Sequence, residues 1–134
     1  MFDKKYLSRL LALVLVVAIS LMGCTSNPSG LSGNYREDTL AVLENLRTAI
    51  DLPDDATNKK EVVTLARRQI SDYASRYRRN SKTAGLRSFT TMQTALNAIA
   101  GYYSSYGNRP VPEKLRKRLS QEFRQVEISL KRGV

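Results

Sequence analysis

Residues 88–105 read SFTTMQTALNAIAGYYSS, with large apolar side chains at Phe89, Met92, Leu96, Ile99 and Tyr103. Steps of three and four bring these residues to one face of an α-helix, whereas a half-buried strand needs strict alternation. A stripe of this kind is the seam of a helical bundle. Ala95 and Ala98 flank it and allow a neighbouring helix to approach closely. Gly101 weakens the helix by about 1 kcal/mol relative to alanine. The run from Gly107 to Pro112 then breaks it.

The same period extends outward in both directions. Toward the C-terminus a helix is expected over residues 112–131, with Leu115, Leu119, Phe123, Val126 and Leu130 as its stripe. Pro112 suits a first helical position, Glu113 the positive helix end, and Lys131 and Arg132 the negative end, with Gly133 as the stop. Toward the N-terminus, residues 58–79 carry Val62, Leu65, Ala66, Gln69, Ile70, Tyr73 and Tyr77, widened by Val63 and Ala74. Asn58 and Glu61 have the spacing of a capping box. A first helix over residues 35–50 lines up Tyr35, Thr39, Val42, Leu46 and Ile50, with Leu43 beside them. Pro53 ends it, because proline disfavours helix at the residue before it. No segment sustains alternation. Four amphipathic helices joined by short loops predict an all-α, up-down-up-down four-helix bundle over residues 34–132.

The bundle is preceded by an export signal. Lys4, Lys5 and Arg9 stand before LLALVLVVAISLM, residues 10–22. A bilayer-spanning helix needs about 20 apolar residues, so this run is too short to span and fits the apolar region of a signal peptide. It closes on Leu21-Met22-Gly23-Cys24. Gly23 suits the cleavage pocket and Cys24 supplies a thiol for lipid, although Met22 is not the usual small or branched residue at its place. A plain secretory signal followed by a free thiol is the other reading. Against it, Cys24 is the single cysteine of the chain and stands where a lipoprotein needs one. The expected organisation is a lipoprotein signal peptide at 1–23, a flexible Ser/Gly/Asn/Pro tether at 24–33 from lipidated Cys24, and the bundle. A diacylglycerol carries two chains, enough for stable anchoring where one chain binds only marginally.

Composition excludes several kinds of chemistry. The chain has no histidine, and with Cys24 lipidated it has no thiol left. Ser–His, Cys–His and histidine-ligated metal chemistry are therefore ruled out, and Glu113 and Glu122 have nothing that would make them an acid–base pair. Asp51, Asp54 and Asp55 lack the spacing of a calcium loop and read as a solvated turn that charges the next helix start favourably. No catalytic residue, metal site or cofactor is expected. Losing Lys4, Lys5, Arg9 and Asp3 with the signal takes the net charge from +10 to +8. A basic domain favours an acidic partner. Export argues against nucleic acid and leaves anionic lipid or an acidic protein surface.

Two groups of residues are candidates for a contact. Tyr102, Tyr106 and Arg109 cluster at the end of the third helix, with Lys114 and Lys117 one turn into the fourth. Arg76 to Arg79 end the second helix, and in this topology the two groups fall at opposite ends. Charge contacts are screened over about 8 Å at physiological ionic strength. Aromatic anchors gain by burial and survive salt. The tyrosine group is therefore the expected contact. The bland readings are rings that close the bundle end with their hydroxyls in water, and basic runs that are simply solvated faces.

Beyond single residues, NYREDTL at 34–40 followed by LRTAIDLP at 46–53 resembles the family of small lumenal photosystem II assembly lipoproteins of cyanobacteria, the Psb proteins numbered twenty-seven. SFTTMQTALN at 88–97 and GYYSSYGNRP at 101–110 continue the resemblance. So do Pro112-Glu113-Lys114-Leu115, Arg118-Leu119 and Glu122-Phe123. The likeness runs from about Leu31 to Arg132, and the lipid signal agrees with the cyanobacterial branch rather than the plant one. It implies a four-helix bundle on the lumenal side of the thylakoid membrane. It also implies a non-enzymatic factor bound to the large lumenal loop of an inner antenna subunit in immature or damaged photosystem II; a monomer is expected. Such a factor leaves before the manganese cluster and extrinsic proteins are in use. Cys24 carries over as the lipid site. A different class of function stays open beside it: a membrane-surface lipoprotein whose basic faces hold anionic lipid or glycan.

Overall fold

In the computed structural model, residues 29–134 are described. The expected signal peptide, its expected cleavage site and Cys24 lie outside the described residues. Helices α1 (Tyr35–Asp51), α2 (Lys59–Arg78), α3 (Arg87–Tyr106) and α4 (Glu113–Arg132) follow one another, and among the described residues there is no strand. Each boundary has a local cause. The Asn34 side chain accepts from the Glu37 N–H and caps α1, which ends at extended Leu52 before Pro53. Gly107, at φ +63°, lets the chain turn away from α3. Gly133 is left-handed at φ +72° and gives its N–H back to the last turn of α4.

Each helix packs on its neighbours in sequence, and α4 closes the ring against α1, while the diagonal pairs make no close approach. Packing is most extensive within α1/α2 and within α3/α4. Val42, Leu43, Leu46, Tyr73, Met92, Leu96, Ile99, Leu119, Phe123 and Val126 are fully buried where the four stripes meet. Arg47 pairs with Glu127 across the α1/α4 seam and lies 5.9 Å above the Phe123 ring. The bundle has two ends. The arm end holds the starts of α1 and α3 and the ends of α2 and α4; the far end holds the other four termini.

Three details differ from the sequence reading. Leu65 is exposed and Val63 is buried, because Val63, Ala66, Ile70, Tyr73 and Tyr77 already make a continuous inward stripe. Asn58 makes no side-chain cap bond, so the capping box does not form; its backbone is not extended, as a capping residue's would be. Instead Lys59 Nζ reaches Asp54 Oδ1 at 2.6 Å, tying the helix start to the preceding turn. Pro112 stands just outside α4 rather than at its first position.

The largest difference is in the expected tether. Residues 29–33 do not trail in solvent but fold along α1 and α2 as an arm. Leu31 joins the core at 4% exposure. The Ser29 carbonyl accepts from Gln69 Nε2 at 2.9 Å, and Gln69 is itself held by Asn45 at 3.0 Å. The Ser32 and Gly33 N–H groups both donate to the Asp38 carboxylate, at 2.7 and 2.9 Å. Buried Asp38 needs donors, and the arm supplies them.

Candidate functional site

The far end brings together the aromatic part of the expected contact. Tyr102 and Tyr106 are four residues apart on α3, and their ring centroids lie 4.9 Å apart. The Tyr102 hydroxyl donates to the Pro110 carbonyl at 2.6 Å, pinning the turn that follows the helix. Tyr106 is 52% exposed and leans on this braced ring. Arg109 is exposed in the same turn, where its N–H meets the Tyr106 carbonyl at 3.4 Å. Lys114 is exposed in the first turn of α4, and Lys117 pairs with Glu113 at 3.3 Å. The lysines share the end with the tyrosines, and among the described residues no cation–ring contact joins them.

Beneath this surface Tyr103 is buried, and its hydroxyl has no hydrogen-bond partner among the described residues. Burial, with Tyr102 adding to it, pushes that hydroxyl up to about 12. The carboxylates of the neighbouring turn are drawn to cations: Asp54 to Lys59, and Asp51 to Arg116 at 3.7 Å. Among the described residues no three His, Cys, Asp or Glu side chains are placed to hold a metal ion.

The arm end is organised around a polar network that the sequence reading missed. Asp38, 2% exposed, also accepts from the Tyr77 hydroxyl, with Arg76 at 3.9 Å. Tyr73 shares a hydrogen bond with Thr39 at 2.8 Å, and Tyr35 with Ser88 at 2.7 Å. The rings of Tyr35, Tyr73 and Tyr77 pack against one another at centroid distances of 5.0 to 6.4 Å. Burial alone would raise the Asp38 carboxyl. The hydrogen bonds from Tyr77, Ser32 and Gly33 outweigh it and hold the group below the usual carboxylate range. Burial raises the hydroxyls of Tyr73 and Tyr77, and the bond to Asp38 raises Tyr77 further. The one available signal was an acid inside the apolar stripe of α1, preceded by Ser32-Gly33-Asn34.

Outside this network the arm end is basic. Arg78 and Arg79 end α2, Lys82 sits in the next loop, Arg87 begins α3, and Lys131 and Arg132 end α4; all six are exposed. Thr83 is buried and bonds the Tyr77 carbonyl at 2.9 Å, which folds the loop onto α2. Ser88 N–H bonds the Val134 carbonyl at 3.2 Å, which joins the end of α4 to the start of α3. The two basic tyrosine-bearing regions are thus separate, one at each end of the bundle.

Comparison with known proteins agrees with this architecture. The sequence model of the family described as Photosystem II Pbs27 matches residues 4–130. The Photosystem II lipoprotein Psb27 of Synechocystis sp. is 64% identical over 133 residues, covering 99% of this chain and 98% of that protein. The Photosystem II assembly factor lipoprotein Psb27 of Thermosynechococcus vestitus is 51% identical over 129 residues, covering 96% of each. The solution structure of Psb27 from cyanobacterial photosystem II matches with a TM-score of 0.75 and 62% identity, covering 81% of this chain and 95% of that one. This is a family named for an assembly factor and not for an enzyme. By a match along almost its whole length, in sequence and in the arrangement of its four helices, the chain belongs to the photosystem II Pbs27 family.

Proposed function

We propose that this protein is a non-enzymatic assembly and repair factor that binds the lumenal face of immature photosystem II. It sits on the large lumenal loop of an inner antenna subunit before the manganese cluster and extrinsic proteins are in place. The observation that carries this reading is the end-to-end likeness to relatives named as a photosystem II lipoprotein and a photosystem II assembly factor. The same likeness supports removal of residues 1–23 and lipid on Cys24, which would hold the domain on the lumenal side of the thylakoid membrane. The protein acts as a monomer, without cofactor.

The contact is the far end. Tyr106 offers a large, exposed aromatic surface on a ring already fixed by Tyr102, so little side-chain freedom is lost on binding. Arg109 and Lys114 stand exposed on the same end and offer local ion-pair partners to an acidic group of the partner, while Lys117 is held by Glu113. A pull-down of photosystem II assembly intermediates at low and high salt tests the assignment. Tyr106→Ala with Arg109→Ala loses the complex at both, while Arg78→Ala with Arg79→Ala weakens it little. The opposite ranking would move the protein contact to the arm end. The other reading, a lipoprotein that holds only anionic lipid or glycan, draws on the exposed cations of the arm end. It predicts that lipid or glycan and no photosystem II protein co-purifies.

A further inference from the structure

We infer that the arm end is the face this domain turns toward an anionic lipid bilayer, leaving the far end directed away from the membrane. The inference rests on the reading of Cys24 as the lipid site, and three observations at the arm end carry it.

The first is charge. Among the described residues none of Arg78, Arg79, Lys82, Arg87, Lys131 and Arg132 is in an ion pair. Of the acids of this end, buried Asp38 and part-buried Asp72 face Arg76, and exposed Glu37, which accepts from the Ser32 hydroxyl at 3.3 Å, is matched in number by exposed Arg36. At the far end exposed Asp51, Asp54, Asp55, Glu61 and Glu113 offset the cations. A negative surface therefore attracts one end of the bundle much more than the other.

The second is that helix stability does not explain the cluster. Cations at the ends of α2 and α4 complement the negative end of a helix. Arg87 does the reverse. It opens α3, whose first turn has no acid and whose start is met by the Val134 oxygen on the Ser88 N–H rather than by a side-chain cap, so the Arg87 charge itself gains nothing from the positive helix end.

The third is the anchor's reach. Ser29 is held beside Gln69 and Asp72 of α2. Cys24 stands five residues earlier, so the two Cα atoms are separated by at most roughly 17 Å. At 1.5 Å per helical residue, the level of Ser29, between Gln69 and Asp72, is about 9–14 Å from the arm end of α2 and about 15–20 Å from its far end. The lipid reaches the plane of the basic end with slack and the plane of the far end only at full stretch.

Lysine labelling decides the matter. The mature, lipidated protein is reconstituted into vesicles of phosphatidylcholine, with or without phosphatidylglycerol. It is then treated with an acetylating reagent, and each lysine is read by mass spectrometry. On anionic vesicles the labelling of Lys82 and Lys131 falls about fivefold, the factor one basic residue near such a surface supplies. Lys60 and Lys114 do not change. Salt restores Lys82 and Lys131, and so does Arg78→Gln with Arg79→Gln and Arg87→Gln in a variant of unchanged helical content. Equal labelling of Lys82 and Lys131 on both kinds of vesicle overturns the inference. Protection of these lysines only in complexes with photosystem II protein also overturns it, and makes the cluster a protein contact. Co-sedimentation with phosphatidylcholine alone reports the anchor separately. If it fails, the Cys24 reading falls, and the footprint on anionic vesicles still decides the orientation.

Discussion

The Tyr77 hydroxyl donates to the Asp38 carboxylate, joining the last turn of α2 to the first turn of α1. The same carboxylate receives the Ser32 and Gly33 N–H groups and the Ser32 hydroxyl. One buried acid thus fastens both a helix pair and the arm that leads toward Cys24.

Asp38→Asn keeps the shape but turns one acceptor into a donor among donors. It is expected to cost about 1–3 kcal/mol, the penalty of leaving buried polar groups unsatisfied. Urea melts measure the loss. Hydrogen exchange at Ser32 and Gly33 rises along with it, because those amides lose their acceptor.

Acid should release the same node. The Asp38 carboxyl is held below its ordinary value in the folded state. Its contribution is therefore present above the unfolded-chain value of about 3.9 and is lost as pH falls through the lower, folded value. Melts from neutral pH down toward pH 2 show a fall in stability below about pH 4, and Asp38→Asn flattens that limb.

The Tyr103 hydroxyl is buried without a partner among the described residues, so Tyr103→Phe removes a desolvated polar group and no hydrogen bond. The expected effect is neutral to stabilising, by up to about 1 kcal/mol. Alkali acts on Tyr103 in the opposite sense to acid on Asp38. Its hydroxyl is raised to about 12, so its contribution is intact below the unfolded value near 10 and is lost as pH climbs through 12. Tyrosinate absorbance followed alongside helical signal shows Tyr103 ionising with loss of structure, and Tyr103→Phe removes that share.

Leu96→Ala and Phe123→Ala, both at fully buried positions, should each cost about 2–5 kcal/mol, as large-to-small core changes do. Exposed Arg67→Ala should cost under about 0.5 kcal/mol. Denaturant melts of the three variants, ranked against one another, check the assignment of helix faces.

Helix positions were legible because the apolar spacing of α3 and α4 matches the helical turn and leaves few alternatives. Leu65 misled because α2 has more apolar residues than its inward face can hold, and only packing chooses between Val63 and Leu65. The arm was hidden for a different reason. Its stretch is polar apart from Leu31, and its order depends on Asp38, Gln69 and Asp72, whose alignment beside it exists only once α1 and α2 are side by side. The Tyr102–Tyr106 contact followed from a spacing of four. The bond from Tyr102 to Pro110 depends on the path of the turn, which no local period encodes.

The closer packing of α1 on α2 and of α3 on α4 makes the molecule two helical hairpins laid side by side. Most of its contacts are consequently near in sequence, the condition for rapid folding without costly long-loop closure. Among the described residues the link between the hairpins, around Asn80 to Gly85, is tied to them by few bonds: Asn80 and Thr83 to the Tyr77 carbonyl and the Leu86 N–H to the Thr83 carbonyl, besides the short bonds of its own turn. A chain cut there yields two fragments, each an intact hairpin with an apolar face complementary to the other's. Such fragments are suited to reassemble as a split protein, with recovery of the fold reporting how strongly the two seams hold.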